Sequence, residues 1–449
     1  MFPPITVRLV LLVCSAWVAL GAAPVVSPDV VVAADGSGDF RTVQAALDSI
    51  PRDNRERRII LIRNGVYAEQ VRVDAAAITL RGESRSGVRI EFSGPADGAR
   101  DRLRNTVLGL TARAHDFVLE NLTVKNTHGV LGVHAFAILG LADRTVIQDC
   151  DLLSSGNDTL SLWRGRTQNA AEVAGHPPED DTLLKEGGRY YHARLRVEGS
   201  VDFICPRGWC YLVDSTITQV NPGATAAIWH DGSGEADKKF VLRGCRFDGP
   251  PNWYLARRHH DGQFYLLDCT FSERMRDRAP YRVIYPLNGG TRSDADVKRN
   301  RELDQVNQFG DRNYFHNSHR VGGDFTWHGD NLAAAPGAPK PAEITARWTF
   351  AGTWDPERSD PPQVIGQRPL EGAIELTWSE RVTVKGRPRL RLSNGTWARY
   401  VSGSGTRILR FQLDGPGSSA EGWDFSNGGI LATEAGATLR LATAALALP

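Results

Sequence analysis

Six segments of the chain share one pattern: FVLENLTVKN (117–126), TVIQDCDLLS (145–154), YYHARLRVEG (190–199), CYLVDSTITQ (210–219), FVLRGCRFDG (240–249) and FYLLDCTFSE (264–273). Their sixth positions are Leu122, Cys150, Leu195, Ser215, Cys245 and Cys269, and their eighth are Val124, Leu152, Val197, Ile217, Phe247 and Phe271. Alternation within each segment is that of a strand, whose successive side chains point to opposite faces, so the sixth and eighth positions should face inward together. Recurrence roughly every 20 to 30 residues means stacked units, and the fold that stacks strands in register is a parallel β-helix. Each coil then buries its apolar columns against the coils above and below, about 4.8 Å away. A Greek-key sandwich has as many short strands but does not repeat one column pattern in register.

The interval between the second and third segments is long because it holds RGRTQNAAEVAGHPPEDDTLLKEGG (164–188), a polar, turn-rich stretch that reads as a loop projecting from one coil. Ahead of the repeat, FRTVQAALDSI (40–50) places Val43, Leu47 and Ile50 on one side of a helix suited to capping the solenoid. Residues 274–340 lose the pattern and are predicted to be long loops, followed by a packed segment ITARWTFAGTW (344–354) and the linker-like DPERSDPPQ (355–363). Period-two alternation beyond it predicts a small immunoglobulin-like β-sandwich. The division expected is therefore a β-helix over 24–356, a linker over 357–363 and a sandwich over 364–449, all-β throughout.

Residues 1–23 carry Arg8, an apolar run from 9 to 21, and Gly21, Ala22 and Ala23 before Pro24, the layout of a cleaved export signal. A secreted or periplasmic protein is expected, as a monomer. A formal charge of +1 gives no reason to expect nucleic acid or an anionic membrane as partner. Five cysteines remain after the signal. An oxidising compartment permits a disulfide, with Cys205 and Cys210 the nearest pair, but three of the five fall in one repeat column and read better as buried thiols. Without CxxC pairs a structural zinc is not expected. His316, His319 and Asp324 are metal-capable types, yet their spacing reads as loop packing, and no cofactor is expected.

The stretch GSVDFICPRGWCY (199–211) sets Asp202 inside an apolar run, where an unpaired charge is costly unless it faces solvent or a partner. Stacking brings residues one period apart onto one face. His134 and Asp158 are 24 residues apart, and Asp158 and Asp202 are 44 apart, or about 20 once the projecting loop is discounted. Two neighbouring carboxylates split their proton affinities, which supplies a base or nucleophile and an acid in one place.

The motifs ADGSGDFRTVQAALDSIP, NGVYAEQV, SGNDTL around Asp158, GSVDF around Asp202, YLARRHH (254–260) and ITARWTFAGTW, in that order over roughly residues 30 to 356, resemble the pectin methylesterases. The resemblance implies a right-handed parallel β-helix acting on pectin, with Asp202 as nucleophile, Asp158 as general acid/base and Arg257 as the arginine that holds the nucleophilic carboxylate. It implies further that His134 and Asn157 stand where the family carries glutamines that donate to the oxyanion. Both can still donate, and losing one such donor costs about 2.7 to 4 kcal/mol. Val201, Cys205, Arg207, Trp209 and His259 fall at positions implied to meet substrate. His259 replaces a sugar-binding tryptophan and Cys205 an aromatic, a loss for which Trp209, Trp163, Trp253 or Trp327 could compensate. Two alternatives share the scaffold: an esterase or thioesterase of different acyl specificity, and a pectin- or cell-surface-binding β-helix without catalysis. A β-helix lyase would want a compact calcium-binding carboxylate cluster, which the sequence lacks.

Overall fold

The computed structural model describes residues 26–95, 102–164, 187–230, 236–259, 261–287 and 289–442. The expected export signal and residues 165–186 of the projecting loop lie outside the described residues, as does His260.

The six repeated segments do lie on stacked coils. Sheet A has ten strands, from Val30–Val32 to Asp311–His316; sheet B nine, from Gly65–Ala68 to His319–Arg320; and sheet C eight, from Val71–Val73 to Tyr281–Arg282. In each sheet the strands follow in chain order, each parallel to the equivalent strand of the next coil. All twelve residues of the two repeat columns are buried. The five cysteines outside the signal are buried thiols outside any disulfide among the described residues, so Cys205 and Cys210 form no bridge.

The fifth repeat position explains how each coil turns from sheet A to sheet B. Asn121, Asp149, Arg194, Asp214, Gly244 and Asp268 all take the left-handed conformation, with φ between 50° and 62°. Glycine, asparagine and aspartate visit that region at least cost, because a short polar side chain can hydrogen-bond locally. Arg194 departs from these types, and its guanidinium is tied to Asp149 on the preceding coil at 2.7 Å.

The cap helix spans Val43–Asp48, with Thr42 accepting from the Ala45 amide as N-cap. It buries Val43, Ala46 and Leu47, and the Glu69 carboxylate accepts from the Val43 and Gln44 amides at its positive end. At the far end the expectation of loops alone over 274–340 is corrected. This region supplies a last coil, with Tyr281–Arg282 in sheet C, Asp311–His316 in sheet A and His319–Arg320 in sheet B. It also supplies a 13-residue helix, Asp294–Val306, closed by a Ser293/Asp296 capping box.

The outer face of sheet A is covered rather than wet. Tyr191, Tyr211, Val241 and Tyr265 stand on it under Ile344, Ala346, Phe350 and Trp354 of the segment that closes the β-helix. The C-terminal strands form one antiparallel seven-stranded sheet in place of two stacked ones. Its long strand Ala373–Gly386 pairs through its first half with Val364–Leu370 and Thr406–Leu413, and through its second half with Gly428–Ala432. The sheet encloses a core that includes Leu376, Trp378, Leu390 and Phe411.

This module is docked on the first coils by buried polar contacts. The Arg57 amide donates to Thr383 Oγ1 and its guanidinium to the Thr433 carbonyl, both at 2.7 Å. Asp116, fully buried, accepts from Arg144 of the next coil and from Arg381 of the module. Burial pushes the Asp116 carboxyl up, but hydrogen bonds from Arg144 and His115 and the charges of Arg144 and Arg381 outweigh it and hold it well below the usual carboxylate range.

Candidate active site

The site lies on the outer face of sheet C. Inward residues Ile138, Leu160, Ile204, Ile228 and Ala256 pair coil to coil and anchor the sheet in the apolar core. Because Leu160 pairs with Ile204, Asp158 and Asp202, each two residues earlier, occupy equivalent places on neighbouring coils. Both are left-handed, with φ of 59° and 48°. Each amide donates across to the next coil, Asp158 to the Val201 carbonyl at 2.9 Å and Asp202 to the Ala226 carbonyl at 2.8 Å. The backbone is thus tied inward where the two side chains leave it, and aspartate tolerates the geometry that a bulkier acid residue would resist.

Asp202 meets Arg257 side-on. The guanidinium Nε donates to Oδ1 at 2.8 Å and to Oδ2 at 3.1 Å, and Nη2 to Oδ2 at 2.5 Å. This two-toothed geometry fixes the carboxylate plane as well as its charge. Burial by itself would lower the Arg257 pKa, but the Asp202 charge and hydrogen bonds raise it, and the Asp158 charge adds to the effect. The apolar run around Asp202 therefore holds a paired charge.

Asp158 is nearly buried, with Oδ2 3.0 Å from His134 Nε2 on the preceding coil. Its Oδ1 has no hydrogen-bond partner among the described residues. His134 pairs by backbone with Asn157 rather than with Asp158, one residue out of the expected alignment, and only its side chain reaches the carboxylate. The Asn157 amide nitrogen donates to the Gly132 carbonyl at 2.8 Å. The two residues expected to donate to an oxyanion thus stand at the edge of the site, each engaged with a protein acceptor or acid.

Three residues along from the Asp202 position, a column of sheet C runs Trp229, Arg257, Tyr281. Trp229 and Tyr281 were missed in the sequence because strands of sheet C are short and the segments between them vary in length. Trp229 is partly exposed, lies under the Arg257 guanidinium at 5.6 Å and meets the His259 ring edge-on at 4.1 Å. The His259 Nε2 is 2.9 Å from the Tyr285 hydroxyl. The aromatic surface therefore comes from Trp229, not from the tryptophans considered above. Trp253 and Trp163 are buried, Trp327 packs against the core, and Trp209 sits on sheet A, donating to Asp237.

Of the positions implied to meet substrate, Val201 and His259 are partly exposed beside the paired acids. Two need correction. Cys205 is fully buried, because the Trp163 indole lies over it and its Nε1 donates to the thiol at 3.1 Å. Trp209 belongs to a different face. Arg207 is buried at the turn into sheet A and stacks on the Trp163 ring at 4.4 Å, so its charge backs the covered wall of the site. The run from Arg257 to His259 is no solvated basic patch either. Arg258 is buried and bound to Asp311 and Asn307. Far from this site, His319 pairs with Asp324 and His316 lies near Asp330, two separate contacts. Among the described residues no group of three or more His, Cys, Asp or Glu side chains could hold a metal ion.

Residues 29–175 match the family model described as pectinesterase. Over that stretch this chain is similar to the pectinesterases. A probable pectinesterase/pectinesterase inhibitor of Brassica napus is 30% identical over 231 residues, 49% of this chain and 35% of that protein. Probable pectinesterase/pectinesterase inhibitor 23 of Arabidopsis thaliana is 27% identical over 233 residues, 50% of this chain and 36% of the relative. The chain thus spans about a third of the length of these pectinesterase relatives. Pectin methylesterase PemA from Erwinia chrysanthemi superposes with a TM-score of 0.54 at 19% identity, over 74% of this chain and 99% of that one. The carrot pectin methylesterase superposes with a TM-score of 0.51 at 20% identity, over 74% and 98%. These structures share the β-helix fold with this chain.

Proposed function

We propose that the protein is a carboxylic ester hydrolase that removes methyl esters from pectin, the methyl-esterified polygalacturonate, and releases methanol. The observation that carries this reading is the Asp202–Arg257 pair set beside Asp158 and His134 on the neighbouring coils. Arg257 keeps Asp202 ionised and aims it, so one carboxylate oxygen attacks the ester carbonyl carbon. As the tetrahedral intermediate collapses the C–O bond to methoxide breaks, and Asp158 gives the leaving group its proton. Methanol departs and an anhydride joins Asp202 to the substrate acyl group. Asp158, now a base, takes a proton from water, whose oxygen attacks the acyl carbon and frees both carboxylates. His134, in contact with Asp158, fixes the rotamer of the acid, and Trp229 offers a ring face to the sugar.

A second reading, another acyl group on the same scaffold, is favoured by one observation. His134 is turned to Asp158 and Asn157 to Gly132, so both oxyanion candidates are already engaged with protein groups. In either reading the C-terminal module over 364–449 is a docked extension that leaves sheet C open, and the enzyme is an exported monomer. No helix among the described residues is long and apolar enough to cross a membrane.

The test is methanol release from methyl-esterified polygalacturonate. Asp202→Asn and Asp158→Asn, both isosteric, should each lower kcat by at least ~10³-fold. Full activity in either variant refutes the mechanism. A panel of methyl, acetyl and thioester substrates separates the two readings, since only the first ranks methyl galacturonate above all others.

A further inference from the structure

A groove of about 330 Å³ opens on the outer face of sheet A, remote from Asp202 on sheet C. Its floor is polar although its residues are buried: Lys239 and Gln263 stand on adjacent coils, one position before the paired Phe240 and Phe264. Gln263 is 3% exposed, and its amide nitrogen donates to the Tyr265 hydroxyl at 3.0 Å. Its Oε1 is buried without a hydrogen-bond partner among the described residues. Leaving a buried acceptor unmet costs about 1 to 3 kcal/mol, so a donor arriving in the groove would stabilise this oxygen.

The walls add two other chemistries. Trp348 crosses Tyr265 edge-on at 5.2 Å, and Lys239 Nζ lies 4.8 Å from the Trp348 ring centroid. Lys239 is partly balanced by Asp237, whose Oδ1 is 2.6 Å from its ammonium. On the next coil Arg312, paired in register with Gln263, gives Nη1 to the Ala236 carbonyl at 2.5 Å. Its Nε and Nη2 are buried without hydrogen-bond partners among the described residues. Burial, outweighing the Asp237 contact, lowers the Lys239 pKa, and the Arg312 charge adds to that lowering. An incoming anion would relieve the repulsion between these two cations.

We propose that this groove is a second carbohydrate subsite that takes a hexuronate unit. A sugar ring face packs on Trp348, a ring hydroxyl donates to Gln263 Oε1, and the uronate carboxylate accepts from Lys239, with the Arg312 charge behind the lining adding to the attraction. A neutral sugar meets only the first two features, and a simple anion only the last. On a polymeric substrate such a subsite would hold a de-esterified stretch of chain against the back of the enzyme while sheet C acts elsewhere on it.

The experiment is titration calorimetry of the full chain with digalacturonate, with galactobiose and acetate as controls. Wild type should bind digalacturonate at least about ten-fold more tightly than either control. Gln263→Leu and Lys239→Met, which keep apolar volume in the floor, should each weaken this binding about ten-fold with methanol release unchanged, and Arg257→Ala should retain it. Equal binding in Gln263→Leu and wild type overturns the proposal, as does equal binding of galactobiose. Because binding at sheet A is read apart from turnover, failure of the ester chemistry leaves this result readable.

Discussion

His192 stands in the core of the β-helix where every coil around it has an aliphatic residue. On sheet A it pairs with Ile147 on one side and Leu212 on the other, is 1% exposed, and has Nδ1 without a partner among the described residues. Burial lowers its pKa from the ordinary 6.5 to about 3. A histidine depressed in the folded state binds its proton only on unfolding, so stability falls as pH drops below about 6.5 and levels off near 3. At pH 5 the unfolded chain gains about RT ln(1 + 10^1.5), or ~2 kcal/mol, from protonating this ring, and at pH 7 only ~0.2 kcal/mol. His192→Leu continues the aliphatic ladder at similar volume. It should therefore stabilise by about 1 to 3 kcal/mol at neutral pH, through removal of a poorly satisfied polar ring, and by a further ~2 kcal/mol at pH 5. Guanidinium denaturation followed by tryptophan fluorescence at pH 7.5 and pH 5.0, wild type against variant, reads both terms. A gain that is the same at the two pH values refutes a neutral, buried His192, and a loss at both refutes the packing argument.

Other variants probe the junction and the site. Asp116→Asn leaves Arg144 and Arg381 without their buried carboxylate, which should cost about 3 to 5 kcal/mol. Because the folded Asp116 pKa is depressed, that difference should hold from pH 8 to 5 and shrink only below about pH 4 in denaturant titrations. Trp229→Ala should raise KM for pectin about ten-fold, the worth of one aromatic face, with a smaller fall in kcat through its contact with Arg257. His134→Gln should change the shape of the pH–rate profile, since it replaces a titratable partner of Asp158 with an amide, whereas Asn157→Ala should lower kcat without changing that shape. Either outcome reversed would assign the two residues to each other's roles.

The coils were legible because alternation and register repeat together. Leu122, Cys150 and their successors announce an inward column that each coil must fill in the same way. The last coil was not legible, since Asp311–His316 is half exposed and charged and its apolar contacts come from segments distant in the chain. The helix Asp294–Val306 hid for a related reason: it is largely polar, with Leu303 its buried residue, although the Ser293/Asp296 box marked its start. Cys205 misled because an outward strand position is ordinarily open, and only tertiary structure lays Trp163 over it.

By itself the sequence determined the stacking and the equivalent placement of Asp158 and Asp202 on neighbouring coils. A period-two pattern recurring coil by coil can be satisfied only by parallel strands in register, and that register carries Asp158 and Asp202 to equivalent places. What only the folded chain decided is where side chains turn once they are there: His134 toward Asp158, Trp229 beneath Arg257, Arg381 into Asp116. Arg381 and Asp116 lie far apart in the chain, and for residues one coil apart the period places the backbone but not the side chain. Those contacts depend on the left-handed turns, the length of each connection and the space left by neighbours, quantities that exist only after the coils have closed.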